Sequence, residues 1–359
     1  MHSYIITGIR FGPLMKLLRS NGFTASPRNL ARLLFVMQNG MWASLHAWRE
    51  RRKYGRIYDQ FPVPDDPVFI IGHWRTGSTF LHLLLALDDR LIAPSLFQVT
   101  LPEGFLAADR FYRPIMGAMV GRRPMDNMIL RFDDPQEEEF ALLKLTLESP
   151  LLKVIFPAKP GYFIDDPAEF IPPDDKKILW QEKFRLFCRK IIRDSGKMIL
   201  LKNPVHSLRI PLLLETFPKA RFIHLHRHPY EVVASSLHLW KVMAGDNQLK
   251  GRPYFPSVKE VTDGLGLFHD VISRDLAVLP AGSYCETAYR DLVQDPVSEI
   301  RRIYRDIGWE FTPGFEERIN GYLEKTRSFK KNTYNFGEED KQLVYARLKK
   351  HFEHYQYQP

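Results

Sequence analysis

Residues 67–87 read PVFIIGHWRTGSTFLHLLLAL. Val68 to Ile71 are four apolar residues in a row, a short buried strand. Gly72 follows at once, then His73, Trp74, Arg75, Thr76, Gly77, Ser78 and Thr79, and then a long helical run. Strand, glycine-bounded loop and helix in that order make a cradle for a phosphate. The glycines let the backbone turn tightly and bring N–H groups close to an anion, and the helix start adds its partial positive charge. The spacing from Gly72 to Gly77 is that of the nucleotide-binding P-loop, G-x-x-x-x-G-K-[ST]. Where that motif has lysine this chain has Ser78, and the loop's one fixed cation is Arg75. ATP or GTP hydrolysis of the usual kind is thereby disfavoured.

Outward from this stretch, strands alternate with helices. Lys197 to Leu201 reads as a strand ending in Lys202-Asn203-Pro204-Val205-His206. A helix with Leu208, Leu212, Leu213 and Phe217 follows, then a strand from Ala220 to Leu225 that ends at Arg227. His228-Pro229 opens a helix containing Ser235, and Ser283 to Tyr289 is a further strand. Such alternation predicts an α/β, P-loop-like three-layer fold, a central parallel sheet flanked by helices with ligands at the strands' carboxyl ends. Lys202, His206, Arg227 and the 72–79 loop all fall at such ends. Asp295-Pro296 starts a helix that stops at Gly308, and a last helix begins near Glu338.

Residues 1–60 read as a helical segment packed on a main domain of residues 61–359. Ser26-Pro27 serves as its N-cap and first-turn pair, and Leu30, Leu33, Leu34, Met37, Met41, Leu45 and Trp48 keep a helical period. Apolar and basic faces coexist here; packing across the main domain is the preferred reading and a peripheral membrane surface the alternative. Residues 88–195 give weaker strand signals and many prolines, a region suited to an acceptor pocket or lid. Within it Asp134-Pro135 is read as starting a helix that carries Glu137, Glu138 and Glu139. At least two of these are expected to complement the helix dipole on a wet face. Residues 243–262 carry turn chemistry and are read as a flap.

The 359 residues are 45% apolar and 26% charged, and the formal net charge is +9. That balance suits an anionic ligand or surface and does not choose among them. Cys188 and Cys285 lack metal-type spacing, so buried reduced thiols are expected. No signal peptide is evident and no run of 18 apolar residues occurs, so a cytoplasmic protein is the expectation, with peripheral contact at a membrane as the alternative.

A ligand with a phosphate at each end of its ribose would place one in the cradle and the other on Arg227 and Ser235, about two helical turns apart. With no lysine in the loop and no magnesium-holding aspartate, protein cations rather than a metal must offset its charge. Here the chain resembles the sulfotransferases that use 3′-phosphoadenosine 5′-phosphosulfate (PAPS), in particular the bacterial branch with a GHWRTGST-type loop. Their 5′-phosphosulfate loop is matched by Gly72 to Thr79, and their 3′-phosphate element, an Arg eight residues before a Ser, by Arg227 and Ser235. Their strand-end lysine is matched by Lys202, and their later segment near the adenine by Tyr289 to Pro296.

The resemblance implies in-line transfer of a sulfuryl group from PAPS to a hydroxyl or amine. Arg75, Thr76, Gly77, Ser78, Thr79, Arg227, Ser235 and Tyr289 would hold the nucleotide, with Lys330 and Lys331 closing over it. Lys202 would stabilise charge on the bridging oxygen. His206 is the first candidate for general base and Glu138 or Glu139 the runner-up; other branches of the family place a glutamate where this chain has Ser95 and Gln98. No metal and no nucleic acid are called for. The acceptor expected from the aromatic and leucine-rich stretches is a lipid, sterol or phenol. A P-loop nucleotide kinase and a non-catalytic anion- or membrane-binding protein are the rival readings. His224, His226 and His228 alternate at one strand end, where packing is favoured over a metal site.

Overall fold

The computed structural model describes residues 5–22, 29–116, 120–122, 129–157, 161–162, 164–327 and 336–359. Its strands are β1 Val68–Ile71, β2 Leu91–Ile92, β3 Val120–Arg122, β4 Ile129–Arg131, β5 Met198–Lys202, β6 Arg221–His226 and β7 Tyr284–Ala288. Five of them form one parallel sheet in the order β2-β5-β1-β6-β7. β3 and β4 make a small antiparallel pair of their own. The expected α/β fold with a central parallel sheet is the fold this chain has.

β1 occupies the middle because all four of its residues are apolar, and all four are buried. A parallel strand covered on both faces has no wet side to satisfy. The period of two divides its side chains between the layers. Phe69 and Ile71 join the larger core, with the Asp174–Ile192, Pro229–Asn247 and Val258–Leu276 helices. Val68 and Ile70 join the smaller one, with the Ser78–Leu85, Pro296–Asp306 and Pro313–Thr326 helices. β5 leaves β1 on one side and β6 on the other. The carboxyl end of β1 is therefore a point where the chain's path across the sheet reverses, the usual place for a ligand crevice.

The N-terminal part holds the Phe11–Ser20 and Leu30–Tyr54 helices, which pack on each other. The second also rests on the Phe105–Met116 helix. It buries Leu33, Val36, Gly40, Ala43, His46 and Glu50. Asn29 precedes its first turn; Ser26 and Pro27 lie outside the described residues.

Two expectations are corrected. Asp134-Pro135 does not start a helix: Pro135 bridges to Ser95, and Gln136 donates its backbone N–H to Pro94 at 2.8 Å. The helix begins at Glu139 and runs to Thr146, with Glu138 at its N-cap. Residues 243–262 are not one loop. The 229–247 helix continues through Asn247, the next starts at Val258, and Gln248 pins the turn between them by donating to the carbonyls of Lys250 and Arg252 at 2.6 and 2.7 Å. The weak strand signals of residues 88–195 agree with what that stretch contributes: a two-residue edge strand, β2, and the three-residue β3 and β4, all too short to carry a periodic signal.

Candidate active site

The loop after β1 is anchored by the side chains that are not aimed at a ligand. His73 is buried, its Nδ1 is 2.9 Å from the carbonyl of Trp74, and its ring meets Phe268 edge-on at 4.8 Å. Burial pushes its pKa down to about 4, so the ring is neutral and structural at neutral pH. Trp74 packs against Trp240 and Phe268. Thr76 donates its hydroxyl to the carbonyl of His73 at 2.9 Å. Ser207 holds both polar groups of Gly72, accepting from its N–H at 2.8 Å and donating to its carbonyl at 3.2 Å.

Two glycines are required by geometry. Gly72 has φ +140, and a Cβ there would sit 2.4 Å from the backbone carbonyl of Leu225. Gly77 has φ +100, and a Cβ there would lie 2.3 Å from the ring of Tyr289. Gly77 is also the N-cap of the 78–85 helix, and no side chain caps that helix. Its first amides are thus available to an anion. Arg75 takes a left-handed φ of +70, unusual for arginine, a conformation held where surroundings over-determine it.

The far end of the candidate site assembles from three elements. Arg75 Nε donates to Ser235 Oγ, 2.8 Å away on the 229–247 helix. Arg227, just past β6, donates from Nη1 to the carbonyl of Arg75 at 3.2 Å and from Nε to Glu231 at 2.6 Å. Its guanidinium lies over the ring of Tyr289, 4.3 Å from the centroid. The structure therefore brings Arg75, Gly77, Arg227, Ser235 and Tyr289 into one group, across the ends of β1, β6 and β7. An uncapped helix start, a cradle that a Cβ would fill and two arginines fit an anionic ligand of the phosphate type. Lys330 and Lys331 lie outside the described residues.

Lys202 ends β5, in register with Ile70 of β1. Its ammonium is nearly fully buried and pairs with Glu137 Oε1 at 2.5 Å, while its backbone N–H donates to Glu138 Oε2 at 3.2 Å. Glu137 retains 18% side-chain exposure. It is held there because the preceding residues are strapped to the chain after β2: Phe97 donates its N–H to Phe132 O at 2.9 Å and Leu96 to Asp134 O at 3.0 Å. Ser95 and Gln98 form the capping box of the Leu96–Thr100 helix beside this strap.

The other two glutamates are buried, not on a wet face. Glu139 Oε2 accepts from Asn203 Nδ2 and from Arg209 Nη1, both at 2.8 Å, and Arg209 Nε donates to the backbone carbonyl of Phe170. Glu138 sits with His206. His206 is wholly enclosed by Phe69, Trp180 and Phe184. Its Nε2 comes within 3.0 Å of Glu138 Oε1 without the alignment of a hydrogen bond. The placement differs from that expected of a general base facing an acceptor, because the residues after Pro204 turn inward as a short 3-10 helix with all five side chains buried.

Burial sets the protonation of this pair. It raises the Glu138 pKa to about 8 and lowers that of His206 to about 3, so both are neutral at pH 7. Above the unfolded histidine's range, His206 is neutral in both states. Glu138, protonated when folded and ionised when unfolded, then makes stability fall as pH rises toward 8. In Glu138→Gln, which mimics the neutral acid, that loss is absent. Relative to the unsubstituted chain the variant is expected to gain about 1.4 kcal/mol per pH unit at most between roughly pH 6.5 and 8. Denaturant melts at three pH values check this; parallel curves would place the proton elsewhere.

The strand-end histidines are engaged by β7 and by the chain's tail. His224 Nδ1 is 2.7 Å from Glu286 Oε1, His226 Nδ1 is 2.8 Å from the Tyr357 hydroxyl, and His228 Nε2 is 3.0 Å from Gln358 O. His226 also stacks on Tyr355 at 3.7 Å. These are packing positions. Cys188 and Cys285 are free and buried.

Of the site residues, sequence reasoning missed Glu137, which had been grouped with its neighbours as solvated. No local signal marks it: Glu137 lies before the helix that starts at Glu139, and its place depends on the strap to residues 94–97.

A model of the Sulfotransferase family matches residues 67–313. The chain is 33% identical over 342 residues to "Omega-hydroxy-beta-dihydromenaquinone-9 sulfotransferase Stf3" of Mycobacterium bovis, covering 94% of this chain and 87% of that one. Among solved structures it is similar to sulfotransferase STF9 from Mycobacterium avium, with a TM-score of 0.71 at 18% identity, 95% of this chain and 90% of that one being covered. It is also similar to sulfotransferase STF1 from Mycobacterium tuberculosis, with a TM-score of 0.61 at 16% identity and coverage of 94% and 90%. The loop after β1, the paired arginines and the strand-end lysine all lie inside the matched span, and the chain belongs to the sulfotransferase family, enzymes that transfer a sulfuryl group.

Proposed function

We propose that this enzyme moves the sulfuryl group of PAPS to the hydroxyl of a lipophilic acceptor, with Glu137 as general base and Lys202 beside the leaving oxygen. The observation that carries this reading is the Lys202–Glu137 pair, 2.5 Å apart at the carboxyl end of β5 next to the β1 loop. A part-exposed carboxylate beside a buried ammonium offers a proton acceptor and a positive charge at one point. Glu137 takes the acceptor's proton as its oxygen bonds to sulfur. Lys202 stabilises the negative charge on the oxygen that bridged sulfur and the 5′-phosphate as that bond breaks. The products are a sulfate ester and adenosine 3′,5′-bisphosphate. Positioning and preorganised charge supply most of the rate.

The amides of Ser78 and Thr79, with Arg75, would hold the 5′-phosphosulfate; Arg227 and Ser235 would hold the 3′-phosphate, with Tyr289 flanking. His206, enclosed and neutral, is better suited to positioning Glu138, whose Oε2 accepts from the Lys202 amide, than to meeting an acceptor. Glu139 stays a structural partner of Arg209. The acceptor class is supported by the Mycobacterium bovis relative, which is named as a sulfotransferase of omega-hydroxy-beta-dihydromenaquinone-9, a lipophilic hydroxyl compound. A nucleotide kinase or a non-catalytic anion binder is not favoured by the family.

Thermal stabilisation by adenosine 3′,5′-bisphosphate but not by ATP is the first test. Arg227→Ala then separates the two phosphates. It removes charge-assisted bonds worth about 1.5–3 kcal/mol, so affinity for the bisphosphate is expected to drop by roughly 10–150-fold. Affinity for AMP should barely change. Equal losses for both ligands would remove the 3′-phosphate assignment.

A further inference from the structure

The Leu30–Tyr54 helix is apolar on two sides. One side packs inward through Leu33, Val36, Gly40 and Ala43. The other leaves Leu30, Leu34, Met41 and Trp48 exposed, and Trp42 beside them, each with more than half of its surface in solvent. Spacings of four and seven residues set Leu30, Leu34, Met41 and Trp48 along one line. No other helix among the described residues exposes so many large apolar side chains. Phe111, from the 105–116 helix packed alongside, is 65% exposed and extends the patch.

The rim of this face is basic. Arg49, Arg51, Arg52 and Lys53 are exposed over the last two turns, with Arg56 just beyond and Arg110 exposed on the neighbouring helix. Arg49 lies 5.9 Å from the centre of the Phe111 ring, and Arg52 lies 5.5 Å from that of Trp48, so charge and aromatic surface are interleaved. The helix has one carboxylate, Glu50, and it is buried beneath the face against Lys190. Beside Trp48 a cavity of about 230 Å³ is lined in part by Arg51 and Lys183, which continue the positive surface.

We propose that this face docks the enzyme onto an anionic lipid bilayer. Exposed apolar side chains of this density mark an interaction surface. Tryptophans flanked by arginine and lysine, with no exposed acid on the helix, match the boundary between acyl chains and anionic headgroups. The choice of lipid over a protein partner also rests on the proposed lipophilic acceptor, since docking would bring the enzyme to the phase that holds it.

The test is co-sedimentation of the full chain with vesicles of equal parts phosphatidylglycerol and phosphatidylcholine, compared with phosphatidylcholine alone. Binding is expected to the anionic vesicles and to weaken with added salt. The double variant Trp42→Ser with Trp48→Ser should lower partitioning by about tenfold or more, and Arg49→Glu with Arg52→Glu should abolish the preference for anionic lipid. Thermal stabilisation by adenosine 3′,5′-bisphosphate should be unchanged in both, which shows that they fold. No partitioning at low salt, or partitioning indifferent to both variants, overturns the proposal. A concentration-dependent dimer in lipid-free light scattering that the tryptophan variant disrupts would assign the face to a second copy instead. Vesicle binding reads no sulfuryl transfer, so its failure is distinct from failure of the acceptor assignment.

Discussion

Glu137→Gln is expected to lower turnover by about 10²–10⁴-fold, the range that a positioned general base contributes. Gln keeps the size and a hydrogen-bonding oxygen, so Lys202 retains a partner and the site keeps its shape. What is lost is the group that accepts the acceptor's proton. Affinity for adenosine 3′,5′-bisphosphate should stay within a few-fold of the parent. The loss should be smaller on an acidic phenol than on an alkanol, because a more acidic hydroxyl needs less help to give up its proton. Single-turnover rates on two such acceptors, with equilibrium binding of the bisphosphate, measure this. If turnover survives Glu137→Gln and collapses in His206→Gln with nucleotide affinity unchanged, the base is the histidine and the aromatic enclosure must open during the cycle.

Lys202→Met should cost about 10²–10³-fold in kcat, the scale for removing one preorganised charge from developing negative charge in a water-poor site. Methionine fills the space along the lysine stem, and the apolar packing at the end of β5 is kept. Because the ammonium is nearly fully buried, its charge is weakly screened and aimed before the reaction starts. The effect belongs to the transition state, so KM for the donor should move little. Lys202→Arg should not restore the rate, since a planar fork cannot occupy the point where Nζ meets Glu137. A fall in donor affinity that matches the fall in kcat would instead make Lys202 a ground-state binding residue.

His206 and Glu137 show where one-dimensional reading stops. The strand ending at Lys202 was legible because a buried parallel strand is a continuous apolar run, MILL. Beyond the strand's end, direction is set by local backbone. Asn203 accepts from the amide of Val205 at 2.9 Å, Pro204 starts a 3-10 turn, and His206 is carried into the core. A residue four positions after a lysine can face the ligand or the interior, and nothing in the spacing distinguishes the two. For Glu137 the difficulty is reversed. Its position depends on a strap to residues 94–97, some forty residues earlier, a contact with no trace in local periodicity.

The glycine loop after β1, the parallel sheet around it and the offset from Arg227 to Ser235 were carried by the sequence itself. Each depends on short-range rules: apolar runs make buried strands, glycine alone accepts the φ of Gly72 and Gly77, and the eight-residue offset from Arg227 to Ser235 runs from the end of β6 into the start of the 229–247 helix. Tertiary structure alone decided which of three adjacent glutamates meets Lys202, that His206 is sealed away, and that the tail's tyrosines cover the β6 histidines. Those outcomes follow from packing between segments far apart in the chain. There burial and the need to pair every interior charge, rather than local conformational preference, select the arrangement.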